Sequence, residues 1–170
     1  MIVPIVNEKD EIIGYKERKN LNYSKDFYRV SALWITNSKN QVLLAKRAST
    51  KKHHPNKWGP AVTGTIEEGE TYESNILKES KEELGLKNIK PKKWIKTNTL
   101  GEKDLSKYQH FTQWYKLKLN KPIEEFKIQE EEVAEIGWFT KEELMKMEKE
   151  KEDPILTSIK EVIKQKEAFA

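Results

Sequence analysis

Short runs in which apolar and polar residues alternate occur along most of this 170-residue chain. Such alternation is typical of half-buried β-strands, and polar turns such as NEKD and NSKN separate neighbouring runs. Two hairpins are therefore predicted near the amino end, followed by further strands. The predicted strands are Ile2–Val6, Glu11–Tyr15, Phe27–Thr36, Gln41–Lys46, Trp58–Gly64, Ile89–Leu100, His110–Leu119 and Val133–Phe139.

Signals at helix ends predict three helices. Thr71 is a good N-cap for a helix that stops at Gly85, and the sequence TKEE from Thr140 forms a capping box for a second helix. A last helix is predicted from Pro154 toward Phe169. One central helix among many strands, with two helices at the end, is typical of an α+β fold, here a single domain over residues 1–170.

The candidate chemistry lies between Gly64 and Leu86, in the segment GTIEEGETYESNILKESKEELGL. Glu79, Glu82 and Glu83 are spaced i, i+3 and i+4, so they share one face of the predicted helix. Like charges at this spacing repel one another, whereas Mg²⁺ prefers carboxylate oxygens and would turn them into ligands. Because glutamate supplies most of the 28 acidic residues, a solvated helix face is the alternative interpretation.

This segment resembles the Nudix box, in which glycines, glutamates and apolar residues recur at fixed spacing. Lys78 stands where the family has arginine, and Ser80 stands where it has an apolar residue. The order of strands on both sides, from RVSALWITNSKN to EEEVAEIGWFTKEEL, is also similar to that of the family. The resemblance implies an α/β/α sandwich around a mixed β-sheet, with an N-terminal hairpin and C-terminal helices. The matching positions are Gly64, Glu70, Glu79, Glu82, Glu83, Gly85 and Leu86.

The resemblance implies a metal site on the predicted helix. Glu79 and Glu83 would be direct ligands of Mg²⁺, with Mn²⁺ as the alternative ion. Glu82 would be a further ligand or would lie beside the ligands, and the carbonyl of Thr63 would complete the site.

The remaining box residues have structural roles in this resemblance. Gly64 would let the backbone come close to the helix. Glu70 would pair with Lys78 and hold the loop against the helix, which ends at Gly85. Lysine keeps the positive charge of the usual arginine but lacks its planar fork.

The general base stays open between Glu82, within the box, and Glu132, in a later glutamate-rich loop. The catalytic set is therefore Glu79, Glu82, Glu83 and Glu132.

Arg47, Lys57 and Arg29 are expected to bind the substrate phosphates, since cations recognise phosphate oxygens and arginine can do so with two hydrogen bonds. An exposed basic loop is the alternative interpretation for the first two. The neighbouring His53 and His54 are interpreted as surface loop residues.

The implied activity is Mg²⁺-dependent hydrolysis of a nucleoside diphosphate linked to another moiety, or of a related organic pyrophosphate. A metal-activated water would attack phosphorus. A non-catalytic nucleotide-binding module with the same fold is one alternative, although the glutamates that it would lose are intact.

The other alternative is an isomerase, because the opening VNEKDEIIGYKER resembles the branch that includes isopentenyl diphosphate isomerase. That isomerase needs a catalytic cysteine in the strand after the tryptophan, where this chain has GPAVTG. Its metal-binding histidine would fall near Thr65, and its paired glutamates would fall near Tyr108 and His110. All three requirements are missing, so hydrolysis is favoured over isomerisation.

The composition limits the possible chemistry, the partners and the cellular location. The chain has no cysteine, which excludes disulfides, thiolate zinc sites and a cysteine nucleophile. Charged residues make up 35% and the net charge is +4, but lysine and glutamate are interleaved, so nucleic acid is not an expected partner. No apolar run is long enough for a membrane span, and no secretory signal is recognised, so we expect a cytoplasmic protein. The expected partner is a small-molecule diphosphate, and a homodimer stays open.

Overall fold

A computed structural model describes residues 1–99 and 109–170. The predicted end of one strand, Leu100, and the sequence candidate Tyr108 lie outside the described residues. The described elements are β1 (Ile2–Val6), β2 (Ile12–Glu17), β3 (Tyr28–Thr36), β4 (Val42–Arg47), β5 (Trp58–Pro60), β6 (Val62–Thr65), α1 (Tyr72–Leu84), β7 (Lys92–Asn98), β8 (His110–Lys118), β9 (Val133–Phe139), α2 (Lys141–Glu148) and α3 (Thr157–Val162).

The seven strands from β3 to β9 form one mixed sheet, and β1 and β2 form a separate hairpin. Strand β3 runs through the middle of this sheet. It pairs in parallel with β8 along its whole length, and antiparallel with β6 and with the start of β4. The predicted α+β class and the mixed sheet are confirmed.

Alternating residues of β3 enter two separate apolar cores. Leu33 and Ile35 pack on the side that α1 covers, together with Ile76. Trp34 faces the opposite side, where the C-terminal segment contributes residues such as Ile159. The sheet therefore has helical segments on both faces, which is the predicted α/β/α sandwich.

Both predicted capping signals are present. The Thr71 side chain accepts a hydrogen bond from the Ser74 backbone N–H at the start of α1, and the Thr71 backbone N–H donates to the Ser74 hydroxyl at 2.9 Å. Gly85 ends α1 in a left-handed conformation with φ of 68°, which glycine adopts without strain. Thr140 caps α2 in the same reciprocal way with Glu143.

The prediction of one strand over Trp58–Gly64 was wrong. The chain bends at Ala61, so that β5 pairs with β4 while β6 pairs with β3. The strands β3 and β4 pair with each other only at Ile35–Thr36 and Val42–Leu43. The two strands diverge beyond that point. The segment from Trp58 onward pairs first with β4, as β5, and then with β3, as β6.

The prediction of a long last helix from Pro154 to Phe169 was also wrong, since α3 spans only Thr157–Val162. Ile155 instead forms a parallel bridge with Trp58. Farther on, the buried indole N–H of Trp34 donates to the carbonyl of Ala168 at 2.7 Å. The residues on both sides of α3 thus pack against the sheet instead of extending the helix. No helix in the described ranges is long and apolar enough to cross a membrane.

Candidate active site

The last turn of α1 contributes Glu83 to a small pocket between the diverging strands β4 and β6. The pocket has a volume of about 30 Å³, and Arg47, Thr63, Glu83 and Glu132 are among the residues that line it. One buried water needs roughly 10–15 Å³, so the pocket has room for an ion or for water but not for a whole substrate. The structure thus brings together four residues that the sequence analysis singled out.

Glu83 is the acidic centre of this pocket. Burial, together with the negative charges of Glu79 and Glu132, raises the pKa of Glu83 to about 8. The positive charge of Lys51 and a backbone hydrogen bond from Thr63 oppose the rise only in part. Burial therefore disfavours a negative charge on Glu83 unless a cation lies next to it.

Glu79 lies one turn earlier on α1 and packs directly on Gly64. A Cβ atom at position 64 would lie 2.4 Å from the Glu79 Cγ and 2.5 Å from the Asn75 Oδ1. Only a hydrogen atom fits between β6 and α1 at this point, so glycine sets the distance between strand and helix. Burial also raises the pKa of Glu79, although the nearby Lys78 opposes this effect. Glu82 is exposed beside it.

The predicted contact between Glu70 and Lys78 is present. The Lys78 Nζ lies 2.5 Å from the Glu70 Oε1. The other carboxylate oxygen of Glu70 accepts from the Glu67 backbone N–H at 2.9 Å and from the Asn75 side chain at 2.8 Å. Burial alone would raise the pKa of Glu70, but these hydrogen bonds outweigh it and hold the pKa below its usual value. The loop before α1 is thereby tied to the helix.

A basic loop closes the pocket from the other side. Lys51 forms a short ion pair with Glu132. The Arg47 Nε donates to the His53 carbonyl at 3.0 Å, and the Arg47 backbone N–H donates to the Lys57 carbonyl at 2.9 Å. Arg47, the last residue of β4, therefore holds the two ends of this loop together, and Lys57 is the last residue of the loop before β5.

Arg29 lies elsewhere. Its guanidinium pairs with the carboxylate of Asp10 at 2.7 Å and lies over the ring of Tyr72, at the first turn of α1. Tyr72 precedes Glu79 by seven residues, which is about 10 Å along a helix. The structure does not bring Arg29 to the pocket, because the N-terminal hairpin supplies it with a carboxylate partner.

Asn75 is a site residue that sequence reasoning missed, and the contact that Lys51 makes could not be foreseen. Asn75 is fully buried on α1, where its amide joins Glu70 to the carbonyl of Thr65. Its position inside the box, one helical turn before Glu79, is the only sequence signal. The pairing of Lys51 with Glu132 joins positions 81 residues apart, so no local pattern indicates it.

The donor set suits a hard divalent cation. Within residues 1–99 and 109–170, no three carboxylate or imidazole side chains already stand in a coordinating arrangement. Burial and the charges of Glu79 and Glu132 nevertheless disfavour the ionised form of Glu83, as its raised pKa shows. A cation in the pocket would remove that cost, and carboxylate oxygens are the ligands that Mg²⁺ and Mn²⁺ take.

Comparisons with known proteins agree with the fold and the box. Residues 26–159 match the family model described as the NUDIX domain. An uncharacterised Nudix hydrolase of Nostoc sp. is 32% identical over 123 residues, which are 70% of each chain. A Nudix hydrolase of Deinococcus radiodurans is 33% identical over 82 residues, and a prenyl-diphosphate phosphatase of Methanosarcina mazei is 33% identical over 81 residues. These two matches span about half the length of each relative, 48% and 47%.

Solved structures show the same architecture. The crystal structure of DR0079 from Deinococcus radiodurans superposes with a TM-score of 0.81 at 21% identity, covering 96% of this chain and 98% of the other. The NUDIX domain of Shewanella oneidensis NrtR, complexed with ADP ribose, gives a TM-score of 0.64 at 15% identity over 88% of this chain and 90% of the other. The chain belongs to the Nudix hydrolase family, whose members generally use divalent metals.

Proposed function

We propose that the protein is a divalent-metal-dependent pyrophosphohydrolase. Its substrate would be a nucleoside diphosphate linked to another moiety, or a related organic pyrophosphate. The observation that carries the proposal is the half-buried carboxyl of Glu83, which lines one pocket with Thr63 and Glu132 and feels the negative charge of the nearby Glu79.

Glu79 and Glu83 would hold the metal through their carboxylates, with Glu82 and the Thr63 carbonyl as additional ligands. Bound Mg²⁺ or Mn²⁺ would neutralise phosphate charge and lower the pKa of a water. Gly64 keeps α1 close enough for Glu79 to reach the site, and the pair of Glu70 and Lys78 holds the preceding loop in place.

Glu132 and Glu82 are the two candidates for the general base. Glu132 lines the pocket together with Glu83, whereas Glu82 is exposed on α1. We favour Glu132, because a base must lie within reach of the water that it deprotonates. Its ion pair with Lys51 would hold the carboxylate at the edge of the pocket.

Arg47 and Lys57 would bind phosphate oxygens of the substrate, since Arg47 lines the same pocket as the glutamates. The named relatives fit a diphosphate substrate: one is a prenyl-diphosphate phosphatase, and one structure was solved with ADP ribose. Both compounds carry a diphosphate. An isomerase activity is not supported, since the chain has no cysteine.

The test is Glu83→Gln, assayed for phosphate or nucleotide release from a panel of nucleoside diphosphate compounds and prenyl diphosphates with and without Mg²⁺. Loss of a ligand should lower kcat by more than about 100-fold, since even residues that only support metal ligands are worth 10–100-fold. Folding should be intact, because the amide removes charge repulsion at a half-buried position.

Glu73→Gln is the matched control, since Glu73 is an exposed glutamate at the other end of α1. It should keep wild-type turnover. Undiminished turnover in Glu83→Gln, or an equal loss in both variants, would contradict the proposal.

A further inference from the structure

Two side chains of α1 share the carboxylate of Glu70. The ammonium of Lys78 lies 2.5 Å from Oε1, and the side-chain amide of Asn75 donates to Oε2 at 2.8 Å. The backbone N–H of Glu67 also donates to Oε2, at 2.9 Å. Each oxygen of this carboxylate therefore has a side-chain donor, and the two donors come from different residues.

The arginine that is usual in the box could supply both donors by itself. A guanidinium presents two parallel N–H groups to a carboxylate, whereas an ammonium acts as a point charge. The ammonium of Lys78 is also shared, since it lies 3.5 Å from the Glu67 Oε1 and 3.6 Å from the Glu79 Oε1. With lysine at position 78, the second side-chain donor to Glu70 has to come from another residue.

The neighbours of Asn75 set the orientation of its amide. The amide nitrogen faces the Glu70 carboxylate at 2.8 Å and the Thr65 carbonyl at 3.1 Å, and both of these groups are acceptors. The amide oxygen accepts from the Ser31 hydroxyl at 2.5 Å. A flipped amide would place its oxygen against two acceptors, so only this orientation satisfies all three contacts. Asn75 and Ser31 are both fully buried.

Asn75 also contacts the point where α1 lies closest to β6. A Cβ atom at position 64 would lie 2.5 Å from the Asn75 Oδ1, and it would also meet the side chain of Glu79. Asn75 and Glu79 are thus neighbours on one face of the helix, and both pack on Gly64. The hydrogen bonds of Asn75 to β3, to β6 and to the preceding loop fix the turn of α1 that comes just before Glu79.

We propose that Asn75 and Lys78 together replace the arginine of the box. Lys78 supplies the charge, and Asn75 supplies the second side-chain N–H donor to Glu70. Because Asn75 is also anchored to β3 and β6, it acts as a positioning residue that keeps Glu79 in place on Gly64. The inference rests on the proposed function where it concerns catalysis, whereas the contacts around Glu70 belong to the metal-free protein.

The first test follows hydrogen exchange by NMR in metal-free protein. The reporter is the Glu67 backbone N–H, because it donates to the same oxygen of Glu70 as Asn75 does. In Asn75→Ala this N–H should exchange about tenfold faster or more, since Glu70 loses a donor and the loop opens more often.

The decisive comparison adds Lys78→Arg to two backgrounds. Arginine can donate to both oxygens of Glu70 once the side chain of Asn75 is gone, so it should slow exchange of the Glu67 N–H about tenfold in Asn75→Ala. In the background that keeps Asn75 the same change should slow exchange by no more than about twofold, because Oε2 already has its side-chain donor. A role of Asn75 in filling space alone would give no such difference between backgrounds.

Two further variants separate this effect from folding. Ser80→Ala is the matched control, since Ser80 is also fully buried on α1 but donates only to the Ile76 carbonyl, at 2.6 Å. The effect of Lys78→Arg should be the same in Ser80→Ala as in wild type. The double variant Ser31→Ala/Asn75→Ala removes the hydroxyl that Asn75→Ala would leave buried without a partner, and arginine at position 78 should slow its exchange as well.

Hydrolysis of diphosphates by the same variants, with Mg²⁺, tests the positioning role. In Asn75→Ala kcat should fall about tenfold or more with little change in KM, because a residue that supports metal ligands is worth 10–100-fold and the phosphate-binding cations are untouched. Lys78→Arg should restore most of this loss.

The two measurements keep this inference apart from the proposed function. Background-dependent exchange in a protein that hydrolyses no diphosphate would support the shared contact with Glu70 and refute the enzyme assignment. The inference would be overturned by Glu67 N–H exchange that is unchanged in Asn75→Ala, or that Lys78→Arg slows equally in both backgrounds. A wild-type kcat in Asn75→Ala would overturn the positioning role.

Discussion

Replacing Gly64 by alanine should impair catalysis and stability together. The added Cβ would lie 2.4 Å from the Glu79 Cγ, whereas carbon atoms in contact prefer about 3.5–4.0 Å. Either the Glu79 side chain or the whole of α1 must therefore move by about 1 Å. Asn75 cannot yield easily, because its Oδ1 accepts from the Ser31 hydroxyl at 2.5 Å and its amide holds Glu70.

A displacement of about 1 Å at a catalytic group can cost about 100-fold in rate. Overpacking of this kind also typically costs about 1–3 kcal/mol of unfolding free energy. The measurements are kcat in the diphosphate assay and the unfolding free energy from urea denaturation. Gly14→Ala is the matched control, since a Cβ at position 14 meets nothing within 4 Å. The reasoning would be refuted by a Gly64→Ala protein with the kcat and unfolding free energy of the control.

Two stability predictions concern other buried ionisable groups. Asp10→Asn should lower the unfolding free energy by about 2 kcal/mol in urea denaturation, because Arg29 and Lys96 both lose their carboxylate partner. The backbone should not be strained, since asparagine tolerates the positive φ of 61° at this turn. An unchanged denaturation midpoint would contradict this prediction. Burial lowers the pKa of His110 from 6.5 to about 4, so the unfolded chain takes up this proton first as the pH falls, and stability should decrease between these values by about 3 kcal/mol at most. This part of the decrease should be missing in His110→Gln, and identical pH profiles for the two proteins would show that the imidazole is not buried as described.

The helix ends could be predicted from the sequence because their causes are local. Thr71, Gly85 and Thr140 each act on backbone groups within a few residues, so their capping roles follow from short patterns. The contact between Glu70 and Lys78 could also be predicted, since both residues belong to one short motif. Fold class and the main strands followed from periodicity for the same reason.

Long-range pairing could not be predicted in the same way. The chain bends at Ala61 because β5 pairs with β4 whereas β6 pairs with β3. No residue pattern within Trp58–Gly64 predicts this change of partner strand. The sequence likewise contained no sign that Arg29 pairs with Asp10, which belongs to a turn 19 residues earlier. The short α3 similarly depends on contacts of the last residues with Trp34, on a strand more than a hundred residues away.

The candidate site shows both situations at once. Glu79 and Glu83 could be selected because their spacing on one helix is local. The side chains that complete the pocket, Lys51 and Glu132, meet only through the fold.

The central claim is that this chain cleaves a diphosphate by adding water to phosphorus with the help of a divalent cation. The most direct measurement incubates wild-type protein with nucleoside diphosphate compounds and prenyl diphosphates in heavy-oxygen water, with Mg²⁺ or with a chelator, and locates the label by mass spectrometry. We predict that heavy oxygen enters a phosphate group of a product only when Mg²⁺ is present. Product formed with the chelator, or a rearranged diphosphate that carries no label, would contradict the claim.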